Sequence, residues 1–145
     1  MVFDIDGVLS EAAGRQHYIE GGRGRGRDWD AFFEACGDDA LIEEVAVLLH
    51  HLDPSLQILL LTGRPIWVQP QTMAWLDRYD LRWDVLVMRD FGDYSAARHF
   101  KQLTVADFRE YGFDLRLSFE DDRRNVEMFR AQGVPTVYIH SGYFD

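Results

Sequence analysis

The chain has 145 residues and a mass of 16.9 kDa, with 47% hydrophobic and 14% aromatic residues. That allows one domain with a real core and excludes disorder as the main state. Twenty-five acidic against fifteen basic residues leave a net charge of −10, which excludes non-specific coating of nucleic acid and restricts any polyanion to a local basic patch. The single cysteine, Cys36, excludes an internal disulfide and a structural zinc site. No apolar run nears the roughly 18 residues of a membrane span and no leader pattern opens the sequence, so a soluble, cytoplasmic protein without a membrane partner is expected.

The chain opens on a β-branched and aromatic run at residues 2–7 that predicts a strand broken by Gly7, with Asp4 and Asp6 at its carboxyl end. Residues 11–28 lack a hydrophobic period and carry Arg15, Arg23, Arg25 and Arg27 among five glycines, which predicts a flexible basic loop. From Asp28, a plausible N-cap, the spacing of Trp29, Phe32, Phe33 and Cys36 predicts a helix with those side chains in the core. A second helix is expected over 39–52. Residues 57–63, a leucine-rich run between turn residues, read as a strand buried on both faces, with Thr62 at its carboxyl end. A helix over 70–79, a strand over 83–88, a helix over 95–111 with a break near Thr104, a strand over 115–119, a helix over 124–132 and a last strand over 137–139 complete the pattern. Strands separated by helices of this length mean right-handed crossovers: an α/β, Rossmann-like three-layer sandwich with a parallel sheet of about five strands.

In such a sheet, ligands bind beyond the carboxyl ends of the strands. That edge gathers Asp4, Asp6, Thr62, Gly63, Arg64, Glu120, Asp121 and Asp122, with Lys101 ahead of the last strand-end trio. Carboxylates crowded in a partly buried crevice repel one another by several kcal/mol, and a divalent cation relieves them; oxygen donors without a His/Cys cluster favour Mg²⁺ over Zn²⁺. Fourteen of the fifteen basic residues are arginine, and Lys101 is the lone lysine, a compact point charge where the rest of the chain uses planar forks.

Four stretches carry a resemblance: Asp4-Ile5-Asp6-Gly7-Val8-Leu9, Leu60-Leu61-Thr62-Gly63-Arg64, Lys101, and Phe119-Glu120-Asp121-Asp122. In this order they resemble the motifs of the haloacid dehalogenase (HAD) superfamily of phosphohydrolases. The resemblance implies that Asp4 is the nucleophile and Asp6 the general acid and base. It further implies that Thr62 binds phosphoryl oxygens, that Lys101 offsets charge, and that Mg²⁺ is held by Asp121, Asp4 and the backbone carbonyl of Asp6. Asp6, two residues after the nucleophile, argues for a phosphatase over the family's dehalogenases and transport ATPases. Val8 stands where Thr is commoner.

The stretches 113–117, 123–134 and 141–144, together with Gly92-Asp93, are similar to the 3′-phosphatase domain of bacteriophage-type polynucleotide kinases. That likeness implies that Gly63 and Arg64 meet the substrate phosphate and that Asp93 is a supporting acid, with Glu120 and Asp122 as further supports of unresolved rank. The lengths of the intervening segments leave no space for a cap domain, and an uncapped crevice admits a polymer end, with Arg15, Arg23, Arg25 and Arg27 supplying positive charge and Arg23 and Arg25 as the candidate substrate contacts. The expected partner is a phosphorylated substrate, with nucleic-acid 3′ ends as the leading class; the oligomeric state is not readable. The chain is also expected to be one domain, 1–145, of a longer polypeptide such as a kinase–phosphatase fusion. The alternatives are a phosphatase for small metabolites or nucleotides, a non-enzymatic phospho-receiver, whose acids and phosphoacceptor follow a different chain order, and an inactive scaffold. An EF-hand is excluded, because the sixth and twelfth positions counted from Asp4 are Leu9 and Arg15.

Overall fold

A computed structural model describes residues 1–20 and 26–144. Its strands are β1 (Val2–Phe3), β2 (Ser10–Glu11), β3 (Ala40–Leu41), β4 (Leu59–Pro65), β5 (Val85–Arg89), β6 (Ser118–Glu120) and β7 (Thr136–Tyr138). The α-helices are α1 (Trp29–Glu34), α2 (Glu43–His51), α3 (Gln69–Arg78), α4 (Ala97–Glu110) and α5 (Arg123–Ala131). Five strands form a parallel sheet in the order β5-β4-β1-β6-β7, while β2 and β3 make a small antiparallel pair. The α/β sandwich read from the sequence is the observed fold, and no cap domain interrupts it among the described residues.

Strand periodicity divides the core. Successive side chains leave a strand on opposite faces, so Phe3 and Leu60 pack with Leu49 and Trp75 on one side, while Val2, Leu59 and Leu61 pack with Val105, Phe108 and Phe129 on the other. The register Val2↔Leu59 and Val2↔Ser118 makes β1 the central strand, buried on both faces. Its carboxyl end therefore opens where β4 and β6 also end, and this places Asp4 beside Thr62 and Asp121 in the topology.

Several expected boundaries shift for identifiable reasons. The first strand stops at Phe3 instead of reaching residue 7, because the Asp4 carboxylate accepts the Ile5 N–H at 2.8 Å and the chain turns back, with Ser10 N–H donating to Ile5 O. The helix expected over 39–52 begins only at Glu43, since Ala40 and Leu41 pair with Glu11 and Ser10. No break occurs near Thr104: its hydroxyl donates to Phe100 O one turn back, and α4 runs through. Asp28 does cap α1, accepting from Ala31 N–H.

The loop expected over 11–28 is the larger correction. Residues Ala13–Tyr18 form a 3₁₀-helix, and Arg15 on it is buried. Arg23 and Arg25, expected to meet the substrate, lie outside the described residues. No helix among the described residues is long and apolar enough to cross a membrane.

Candidate active site

The strand ends bring together two charge clusters that share Asp4-Ile5-Asp6. In the first, Lys101 rises from α4 to place Nζ 3.1 Å from Asp4 Oδ1 and 2.7 Å from Glu120 Oε2. Asp4, Glu120 and Asp121 each offer a carboxylate oxygen, and these atoms lie within 4.8 Å of one another. All four side chains are buried. Glu120 also accepts the backbone N–H groups of Asp121 and Asp122, so it is fixed as the partner of Lys101. Asp121 accepts from the Ser141 hydroxyl at 2.6 Å.

Three buried carboxylates against one ammonium leave uncompensated repulsion. Burial, and after it the charge of Glu120, pushes Asp4 well above the ordinary carboxylate range, with Lys101 offsetting only part. Burial and Glu120 likewise push Asp121 from 3.8 to about 8. Burial acts against the charged form of Lys101, yet Asp4 and Glu120 outweigh it and raise its pKa. Hard oxygen donors this close, with two of them driven toward protonation, are the donor set that a divalent cation such as Mg²⁺ fits.

A carboxyl with a raised folded-state pKa favours the folded chain at low pH, and that contribution is lost as pH rises through the raised value. The metal-free chain therefore loses stability between about pH 4 and about pH 8 through Asp121, whose pKa moves from 3.8 to about 8. Thermal denaturation across that range, in chelator and in Mg²⁺, checks this: the melting temperature falls with pH in chelator and is held up by Mg²⁺.

The second cluster lies behind Asp6. Arg15 and Arg64 both direct guanidinium nitrogens at Asp6 Oδ1, at 2.5 and 2.7 Å, and both contact Asp39. Arg64 also donates to Thr72 at 3.1 Å and Ser10 at 3.2 Å, while the Ser10 hydroxyl donates to Asp39. Two guanidiniums against two carboxylates make a balanced, largely buried network. Burial alone pushes Asp6 up, but Arg64 and then Arg15 overrule it and hold its carboxyl at about 2. Asp6 is thus ionised as placed, and the guanidiniums that hold it so also make it a weak base.

Above the first cluster opens a cavity of about 550 Å³ bordered by Asp4, Asp6, Gly63, Lys101, Asp121 and Asp122. Arg64, expected on the substrate phosphate, does not border it, because its side chain is fully buried on Asp6. Thr62 is also fully buried, its hydroxyl accepting the Arg64 N–H at 3.1 Å. Asp93 sits on the rim and accepts from Ser95 N–H, a turn just before α4. Of the two flanking acids, Glu120 belongs to the Lys101 cluster, whereas Asp122 caps α5 through Arg124 N–H and pairs with the Arg124 side chain.

Asp39 and Ser141 were not among the expected site residues, and Arg15, expected to offer its charge to a polymer, is instead buried on Asp6 and Asp39. Gly7 has a structural role of its own: φ is +80°, and a Cβ there would overlap Asp121 Oδ2. Gly7→Ala is expected to displace Asp121 and lower phosphatase activity by at least about tenfold for each ~1.4 kcal/mol of lost transition-state stabilisation. A steady-state rate with Mg²⁺ titrated to saturation measures the loss.

A Rossmann-like sheet whose central strand ends in Asp4-Ile5-Asp6, with Lys101 and Asp121 converging on it, defines a phosphatase of the HAD type. The chain belongs to the family described as the polynucleotide kinase PNKP phosphatase domain, whose family model matches residues 1–144. Among solved structures it is similar to a chain of a Pnkp1/Rnl/Hen1 complex, with a TM-score of 0.82 and 24% identity over 99% of this chain and 46% of that one. A chain of a Pnkp1/Rnl/Hen1 RNA repair complex gives 0.81 and 23% over 96% of this chain and 41% of that one. A protein from Clostridium difficile described as a candidate phosphatase gives 0.57 and 12% over 94% of this chain and 82% of that one. The chain thus spans less than half the length of the first two. No curated protein matches it.

Proposed function

We propose that the chain is a Mg²⁺-dependent phosphomonoesterase that acts through an aspartyl phosphate and takes the 3′-phosphate ends of polynucleotides. The observation that carries this reading is the placement of Asp4, which is buried at the cavity floor with Lys101 on one oxygen and Asp121 close by. Family membership and the likeness to structures described as RNA repair complexes support the substrate class.

In the first step an Asp4 oxygen attacks phosphorus, the bond from phosphorus to the leaving oxygen breaks, and that oxygen takes a proton from an Asp6 carboxyl protonated from solvent, leaving Asp6 a carboxylate. In the second, water attacks the phosphorus of the acyl phosphate, its proton passes to a base, and inorganic phosphate and the Asp4 carboxylate are released. Asp6 borders the cavity, but the two guanidiniums that hold its carboxyl at about 2 also weaken it as a base, so its base role in the second step requires the carboxyl to turn from them. Its acid role in the first step requires the carboxyl to turn from those guanidiniums toward the cavity that it borders. Lys101 neutralises Asp4 and the incoming phosphate, and Glu120 holds Lys101 in place. Gly63, which borders the cavity, meets phosphoryl oxygens and Asp93 supports the rim, while a phosphate contact by Thr62 requires its buried hydroxyl to leave the Arg64 N–H. Mg²⁺, held by Asp4, Asp121 and the Asp6 backbone carbonyl, supplies charge neutralisation when bound.

The test is phosphate release from a 3′-phosphorylated oligonucleotide and from nucleoside monophosphates, each with Mg²⁺ and with chelator. Faster turnover of the oligonucleotide, lost in chelator, is expected. Equal or better turnover of the small molecules would return the chain to the metabolite class, which its net charge of −10 favours.

A further inference from the structure

The three clustered carboxylates are not held alike. Asp4 is tied to Lys101 and the Ile5 N–H, and Glu120 to Lys101 and two backbone N–H groups. No lysine or arginine among the described residues lies within ion-pair distance of Asp121. Its Oδ2 accepts from the Ser141 hydroxyl at 2.6 Å, and both side chains crowd Gly7, where a Cβ would overlap Oδ2 and come within 3.0 Å of Ser141 Cβ. Ser141 arrives from beyond the last strand, β7, and not from the segment that carries Asp121.

Residues 141–144 keep that hydroxyl in place. Gly142 turns the chain at a φ of +84°, the left-handed region that suits glycine, and Tyr143 N–H donates to Ser141 Oγ at 3.3 Å. The Tyr143 hydroxyl accepts Ala12 N–H at 2.7 Å and donates to Glu11, which pins the segment to the end of β2. The Arg124 guanidinium lies over the Phe144 ring, 5.7 Å from its centroid, while it pairs with Asp122 at 2.9 Å. The segment is thus tied to both stretches of chain that carry the site acids, the one after β1 and the one after β6.

We infer that Ser141 is a positioning residue for the cation ligand Asp121, and that Tyr143 anchors it in that place. This rests on the Mg²⁺ reading above. The torsion that turns a carboxylate has broad wells, so a loose Asp121 would have to be ordered whenever a cation bound. Ser141 orders it beforehand, using one lone pair of Oδ2 and leaving the others to the cation. Ser141 does not border the cavity, so its hydroxyl acts through Asp121 and adds no group to the phosphoryl chemistry.

The test is thermal denaturation of the parent chain, Ser141→Ala, Ser141→Thr and Tyr143→Phe, each in chelator and over a Mg²⁺ titration. The rise in melting temperature gives the Kd, and the value in chelator gives the stability of the fold alone. Ser141→Ala is expected to raise the Kd by about 10–100-fold, the loss that follows when a partner orienting a metal ligand is removed. Ser141→Thr, which restores a hydroxyl, is expected to recover most of that loss, and Tyr143→Phe to raise the Kd by a smaller factor with Ser141 untouched. A Ser141→Ala chain that keeps the parent Kd, whatever its melting temperature in chelator, makes the hydroxyl a structural tie only and overturns the inference, as does a Thr variant as weak as the Ala one. An unchanged Kd in Tyr143→Phe overturns the anchoring. Each of these results leaves the Mg²⁺-dependent reading intact, whereas a parent chain whose melting temperature ignores Mg²⁺ overturns both.

Discussion

Asp4→Asn is expected to abolish phosphate release, by at least about a thousandfold, while the metal-free chain at neutral pH becomes more stable than the parent. The two halves have one cause. Asn keeps the shape of the carboxylate, and its amide oxygen can still accept the Ile5 N–H and the Lys101 ammonium that Asp4 accepts at 2.8 and 3.1 Å. It cannot attack phosphorus. It also carries no charge, so burial and the repulsion from Glu120 that push the Asp4 carboxyl upward no longer oppose folding, and Lys101 keeps Glu120 at 2.7 Å. Rate assays beside chemical denaturation check both. A variant that loses activity and stability together would mean that the carboxylate is structural.

Arg64→Ala is expected to cost about 3–5 kcal/mol of stability, because it strips one cation from a buried network and leaves Asp6 and Asp39 with Arg15 alone. Arg64 is fully buried and places four hydrogen-bonding contacts through one planar fork, on Asp6, Thr72, Ser10 and Asp39. Lysine has no such fork, so Arg64→Lys is expected to recover little of either stability or activity. Urea denaturation gives the stability. If Arg64→Ala instead kept its stability and lost only affinity for phosphate, Arg64 would be a substrate ligand, as the family resemblance implied.

How far the site was legible depended on whether its residues follow from the sheet. Asp4 and Asp121 met because β1 and β6 are parallel neighbours, Lys101 reached them from α4, which packs on β4, and buried strands such as Leu59-Leu60-Leu61 announce themselves as unbroken apolar runs. Arg15 did not, because its burial rests on Asp39, which is positioned through the β2–β3 pair formed by two-residue strands without a periodic signature. One signal was available: Arg15 is followed by Gln16-His17-Tyr18-Ile19, a glycine-free run, whereas Arg23 and Arg25 alternate with glycine. Trp29 shows a different limit. Helical spacing identifies a face but not what the face meets, and here it meets the cavity. The contact of Ser141 with Asp121 joins two strand-end segments that local pattern does not connect.

The most direct measurement is a rapid acid quench of the chain, in excess over a 3′-phosphorylated oligonucleotide, followed by mass spectrometry of its peptides. The expected result is a phosphoryl group on the peptide that holds Asp4, assigned to that side chain and absent from Asp4→Asn. Phosphate release at the full rate with every carboxylate unmodified, or a phosphoryl group found on Asp6 instead, would contradict it.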